Sequence, residues 1–460
     1  MLCSGSAFQC RVAPPMSGTW IMPNMPRPLS VNGSGLGSVT TDKTCIDAIT
    51  EAYGGPGSGA IFVDSLNGID GASRGSNTSP VKTLSYALGM RSEKTVFLIP
   101  NAPFEPFGVN FSDPGANYNM KRITIAPGYR SACIKASGDD IRTLGWSQVG
   151  SSAVYQTSLT AATHNIHHVL KIDQFNAYNQ PVSLPYYGDL GSLQNDGRGF
   201  FFDNAARKLY VADGGSSIMA NRASYMALFG GTIQLNGARL IIDGNISIDG
   251  LEFLAKEEGG QPPIICLSGT RHRFSPGHSI HTEGGIFLSE GVTTYAGAYD
   301  GWNYDIGSSG RKAFAMEIGC HGYGAGDLET YGAVGQQNRN GSSAHGGADV
   351  IRYGGRYRGN YGPNVNDTGL AGCSSASWNV GCSTGQSHSD IFNQGFASFS
   401  VENGPRNVWI DTCLDDDASG AGVLADQPDN TVKIYNVVTN GAPPQALHCA
   451  TLSLYTPDAP

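Results

Sequence analysis

The sequence predicts an all-β solenoid, a chain wound into stacked coils of short strands, on three observations. Glycine supplies 63 of 460 residues while proline supplies 24; the ordinary shares are about 7% and about 5%, so glycine alone is enriched. Charged residues are only 15% of the chain, against about 25% in an average domain. Short β-branched or aromatic runs closed by Gly, Asn or Asp recur over most of the chain, with no helix between them long enough for a βαβ crossover. Collagen is excluded because no G-X-Y period accompanies the glycine. The low charge with 40% hydrophobic residues excludes a disordered chain. The missing Ala/Glu/Lys/Leu/Arg signature excludes a coiled coil.

Taken in order, residues 1–55 read as an extended arm, rich in Pro, Gly, Ser and Met and without helical or strand period. Its first twenty residues show no basic stretch followed by an apolar run, so no secretory leader is expected there. Residues 59–90 (GAIFVDSLNGIDGASRGSNTSPVKTLSYALGM) begin with a strand at 61–64 and an Asn/Gly/Asp loop. A short helix follows, because Val81, Leu84, Ala87 and Leu88 share one face, Pro80 suits a first turn and Gly89 suits an end. Strands are expected at 95–99, 122–125, 231–235, 240–243, 246–248, 314–318, 350–352, 396–401, 408–411 and 432–435. Their spacing of roughly 20–30 residues fits one solenoid coil of three short strands. Residues 56–440 are assigned to the solenoid and 441–460 to a C-terminal tail.

The segment FVDSLNGIDGASRGSNTSPVKTLSYAL resembles the opening motif of right-handed parallel β-helix proteins of the pectate-lyase-like class. Two later stretches, DGWNYDIGSSGRKAFAMEIGCHGYG and NGSSAHGGADVIRYGGRYRGNYGPNVNDTG, resemble mid-helix patterns of bacterial and phage members. The resemblance implies a right-handed parallel β-helix whose short N-terminal helix, Pro80 to Gly89, covers the open end of the core. It also implies work on polysaccharide, since such members include lyases, hydrolases and phage tail spikes. A fold of this kind hosts many chemistries. The first expectation is therefore a viral tail spike or fibre that binds, and in one version depolymerises, a host surface polysaccharide. The alternatives are a secreted bacterial lyase or glycoside hydrolase, and a non-catalytic adhesin. The tail-spike reading implies a homotrimer in the virion tail, joined to other tail proteins through the N-terminal arm.

Glycan chemistry needs carboxylates and aromatic platforms on loop-rich structure, and residues 297–367 are densest in both. For hydrolysis, Asp300, Asp305 and Glu317 supply candidate acid and base carboxyls. For elimination, His345 supplies a base and Arg352 or Arg356 a cation beside the enolate. Trp302, Tyr304, Arg352, Arg356 and Tyr357 are the candidate substrate contacts. The bland alternative is that corner Asp residues bond their own turns. No cofactor is expected, and no metal spacing is convincing. Asp415, Asp416 and Asp417 form an acidic run suited to Ca²⁺ or to a solvated loop. His164, His167 and His168, and the run RHRFSPGHSIH, read as loops.

The net charge of −9 without a basic stripe argues against nucleic acid. No apolar run approaches the roughly 20 residues of a membrane span. The ten cysteines are scattered without a CxxC pair. Most are expected as buried free thiols, with Cys373 and Cys382 the pair close enough in sequence to bridge a loop.

Overall fold

The computed structural model describes residues 44–90, 94–110, 120–160, 165–215, 217–332, 339–369 and 375–385. It also gives the backbone pairing of Leu29–Val31 with Val39–Thr41 and of the strands from Phe396–Ser400 to Thr451–Tyr455. The chain is a parallel β-helix. Three parallel sheets of ten, twelve and nine strands run its length, and successive strands visit them in turn. One coil, for example, consists of Gly231–Asn236, Arg239–Asp243 and Ile246–Asp249. The next coil stacks on it in register, Ile233 on Phe253, Ile241 on Cys266 and Ile248 on His272. Coil length is uneven: paired residues lie 20 apart at Ile233 and Phe253 but 40 apart at Trp302 and Ser342.

Inward residues of the three sheets merge into one interior cluster, which includes Ile233, Leu240, Ile248, Phe253, Ile265 and Phe287. The expected opening helix is observed at Leu84–Gly89, capped by the Thr83 hydroxyl, which accepts from the Tyr86 N–H at 3.2 Å. It buries Leu84, Ala87 and Leu88 and touches Gly59–Val63 and Val109–Asn110, the terminal strands of two sheets. That position closes the end of the core, where unpaired strand edges would otherwise lie open.

The expected tail 441–460 is corrected, because Gln445–Leu447 and Thr451–Tyr455 pair as the last strands of the ten- and twelve-stranded sheets. Two further features depart from the sequence reading. The stretch read as an arm up to residue 55 contains a helix, α1 (Cys45–Tyr53), with a capping box between Thr44 and Asp47. Cys45 and Ile49 pack on Ile241, Cys266 and Leu288, which point outward from the twelve-stranded sheet. The second departure lies between Lys135 and Gly231, where the chain leaves the helix. This excursion builds a four-stranded and a three-stranded antiparallel sheet with two short helices, Leu190–Asp196 and Ile218–Asn221. Coil stacking ignores it: Ala132–Lys135 pairs directly with Ile246–Asp249.

The excursion docks on the rod. The Tyr186 N–H donates to the Thr330 carbonyl at 2.6 Å, and the Tyr331 hydroxyl donates to the His167 carbonyl at 2.6 Å. Thr330 and Tyr331 belong to the short helix Leu328–Tyr331, part of the extra length of the coil between Trp302 and Ser342. Cys45, Cys133, Cys266, Cys320 and Cys382 are free, and all but Cys133 are buried. Cys373, the other half of the suggested pair, lies outside the described residues. Among the described residues, no helix is long and apolar enough to cross a membrane.

Candidate functional site

Side-chain alternation along each strand decides which residues can meet a ligand. In the ten-stranded sheet the row Ile233, Phe253, Ile280, Trp302, Ser342 points into the core, and so does Leu235, Ala255, Thr282, Tyr304, Ala344. In the twelve-stranded sheet the inward row is Ile242, Leu267, Ser289, Glu317, Arg352, Asn379. Trp302, Tyr304, Glu317, Arg352 and Tyr357 are each 0% exposed. This corrects the sequence assignment: none of the five touches a polysaccharide outside the rod.

Instead these residues form a polar interior in the later coils. Glu317 accepts from Ser342 Oγ and from Tyr357 Oη, both at 2.6 Å. The Arg352 guanidinium donates to Ser342 Oγ at 2.8 Å, Asp367 Oδ1 at 3.0 Å and Asn379 Oδ1 at 3.1 Å. Burial pushes the Glu317 carboxyl above its ordinary range, opposed by Arg352. Buried charge is tolerated here because it is paired and hydrogen-bonded.

The proposed elimination pair is not assembled either. His345 ends the strand Ser342–His345 of the ten-stranded sheet, Arg352 is in the core, and Arg356 is exposed on the nine-stranded sheet beside His321.

Asp300, Asp305 and His345 do come together, on the outer face of the ten-stranded sheet. Odd-numbered Asn303 and Asp305 face out where Trp302 and Tyr304 face in. Pairing sets His281 beside Asn303 and Glu283 beside Asp305. His281 Nε2 lies 3.1 Å from Asp305 Oδ2 and 3.8 Å from Glu283 Oε1, and its Nδ1 lies 3.5 Å from Glu252 Oε1. Burial lowers the His281 pKa, but hydrogen bonds to Asp305 and Glu252 outweigh it and lift the ring to about 9. His281 is therefore a cation at neutral pH, among three carboxylates.

One step along the face, Asp300 is held through Oδ1 by the Asn340 N–H at 2.7 Å and the Asn340 amide at 3.1 Å. Its Oδ2 lies 3.2 Å from the Asn303 amide, 3.7 Å from His278 Nδ1 and 3.8 Å from His345 Nε2. Asp300 is only 3% exposed, and desolvation raises its pKa. His278 is pushed the other way, to about 2, by burial and then by His281, whose tilted ring lies 4.9 Å away. The Arg339 guanidinium lies 3.9 Å over the exposed ring of Tyr299, a cation–π contact at the rim.

One carboxyl of this face, Asp300, is desolvated, and another five residues along the chain, Asp305, lies 3.1 Å from a cationic imidazole. Environments that separate two carboxyls in this way assign acid and base roles. Sequence reasoning found Asp300, Asp305 and His345 but missed Glu252, His278, His281, Glu283 and Arg339. The signal for His281 was the alternation Ile280-His281-Thr282-Glu283, which marks a strand rather than the loop assigned to it. Among the described residues, no group of three or more His, Cys, Asp or Glu is placed to hold a metal ion. Asp416 and Asp417 lie outside those residues.

No protein-family model matches the chain, and no curated protein matches it in sequence. Solved structures with a similar course include XylC in complex with xylose, at TM-score 0.48 and 10% identity over 83% of this chain and 70% of that one. The GH136 lacto-N-biosidase from Eubacterium ramulus aligns at TM-score 0.28 and 10% identity, over 87% of this chain and 68% of that one. The receptor-binding domain of the Siphovirus 9NA tailspike aligns at TM-score 0.26 and 9% identity, over 81% and 70%.

Proposed function

We propose that this chain binds a polysaccharide along the outer face of the ten-stranded sheet and hydrolyses it at Asp300 and Asp305. The observation that supports this most is the opposite setting of the two carboxyls: Asp300 desolvated, Asp305 3.1 Å from a cationic His281. In this reading Asp300 gives its proton to the glycosidic oxygen as the C–O bond breaks. Asp305 takes a proton from the water whose oxygen bonds to the anomeric carbon. One water is consumed per bond, and its proton passes back to Asp300 through solvent. His281 faces Asp305 as a cation at 3.1 Å, and Asn340 with Asn303 fixes Asp300.

The biological setting we propose is a viral tail spike or fibre acting on host surface polysaccharide. The residues that precede helix α1 would then carry attachment to other tail proteins, and three copies would associate. A secreted hydrolase is the alternative setting, and light scattering separates three copies from one.

The decisive experiment incubates the full chain with a panel of bacterial surface polysaccharides and follows reducing ends. Asp300→Asn and Asp305→Asn each lower the rate by about 10²–10⁴-fold with unchanged circular dichroism. Activity falls as pH rises through the raised pKa of Asp300, because its acid form is consumed. Full activity in both variants overturns the assignment. Tight binding without any cleavage leaves the non-catalytic adhesin, which the near-complete enclosure of Asp300 favours.

A further inference from the structure

We infer that the cleft where the excursion meets the rod is a pocket for one uncharged sugar unit, set beside the Asp300 cluster. The identity of the polymer rests on the reading above, whereas the charge selectivity rests on the cleft's own residues. The excursion supplies Asn165, His167, Tyr186, Phe202 and Asn204, and the rod supplies Pro276, Ala298 and Tyr331. The cleft measures about 350 Å³, at the low end of the roughly 300–1,000 Å³ of small-molecule sites. That size suits a single unit or a short branch rather than a length of polymer.

Among the described residues, no Lys, Arg, Asp or Glu lines the cleft. Burial pushes His167 below its ordinary pKa, so its ring is neutral at neutral pH. A uronate or sulfated sugar would lose hydration there and gain no counter-charge. A neutral ring would stack on aromatic faces while its hydroxyls meet two carboxamides and a phenol.

The walls are fixed before any ligand arrives. The rings of Tyr186 and Tyr331 lie 5.5 Å apart, and both tyrosines are anchored across the junction by the 2.6 Å bonds described above. Beneath them His168 Nδ1 lies 3.2 Å from Thr330 Oγ1, which donates to Ser183 Oγ at 2.7 Å, all buried. Pre-set walls lower the ordering cost of binding. Tyr186 remains 37% exposed, so a ligand can reach it.

Position links the pocket to the carboxyl cluster. Pro276 and Ala298 precede His278 and Asp300 by two residues each, at most about 7 Å of chain. The two loops are joined by Ala298 N–H to Ser275 O at 2.9 Å and Tyr299 N–H to Gly277 O at 3.1 Å. A Cβ on Gly277 would lie 2.9 Å from the Glu252 carboxyl, so glycine lets this loop press against the acidic face. A sugar in the pocket is thus adjacent to the bond at Asp300.

The test titrates the full-length protein with glucose, galactose, N-acetylglucosamine and glucuronic acid, followed by saturation-transfer NMR and calorimetry. At least one neutral sugar binds, and glucuronic acid binds about tenfold more weakly or not at all. Tyr186→Ala and Asn204→Ala each weaken the neutral sugar by about tenfold, the size expected for one lost ring or amide contact. Melting curves confirm that the variants are folded. Three results overturn the inference: no neutral sugar binds, glucuronic acid binds as well as the best neutral sugar, or both variants bind like the parent. No cleavage is needed for this readout. A parent that binds neutral sugar yet leaves every polysaccharide intact sinks the hydrolysis reading alone.

Discussion

Two charged clusters are built from the same short stretch of chain, one inside the rod and one outside it. Glu317, Arg352 and Asp367 sit in the core at 0% exposure, whereas Asp305 and His345 keep about a third of their side chains in water. Tyr304 and Asp305 are neighbours in sequence and lie on opposite sides of one sheet. The difference is a matter of parity along a strand, and it turns the same residue types from internal cross-bracing into groups that face water.

The largest expected effect breaks the inner cluster. Arg352→Ala strands two buried carboxylates and costs about 3–5 kcal/mol, read as the shift in urea midpoint. Replacing Glu317, Arg352 and Asp367 together with apolar residues of similar volume restores most of that loss. On the outer face, Asp305→Asn moves the same midpoint by less than about 1 kcal/mol while lowering cleavage. Equal destabilisation at both clusters would erase the distinction between them.

A second effect sits at the junction of excursion and rod. Asp327 is 2% exposed, 3.5 Å from His168 Nδ1, and burial raises its pKa to about 8. A carboxyl that holds its proton longer when folded stabilises the fold at low pH, and this contribution is lost as pH rises from about 4 to about 8. Asp327→Asn removes that loss, and its backbone φ of +43° suits Asn. The variant therefore melts several degrees above the parent at pH 9, and the gap narrows at pH 5. His168, lowered by burial to about 3, acts in the opposite sense, costing stability as pH falls from about 6.5. The smallest effect belongs to the rim: the 2.7 Å pair of Lys256 and Glu283 is part-exposed, so Lys256→Ala costs about 0.2–1 kcal/mol, diminished further in high salt.

Much of the rod was legible because each strand is a local β-branched run closed by a turn residue. Expected strands at 231–235 and 314–318 appear as Gly231–Asn236 and Ala313–Ile318. Helix α1 was missed although Thr44, Cys45, Ala48 and Ile49 carry a cap and a helical face, because the Pro/Gly-rich residues before it set the reading of the whole segment. The excursion was missed for a different reason. Its runs, such as Phe200–Phe202, look like those of the rod, and the short Asn204–Arg207 turn that folds Phe200–Phe202 back on Leu209–Val211 as a hairpin was not taken up. Pairing across distant residues also hid the inward aim of Glu317: a strand's alternation gives two faces without saying which is buried. The row running from Leu267 through Ser289 to Arg352 fixes it.

The uninterrupted stacking beneath the excursion has a further consequence. Its two ends meet, since a Cβ on Gly231 would lie 3.8 Å from that of Ala136. The rod can therefore accept a different passenger at this seam without changing a single rung of its ladder. Replacement must still refill the space now occupied by Phe229 and Leu184, which share the rod's interior. The ladder of the rod and the fold of the excursion are thereby set by separate stretches of the chain.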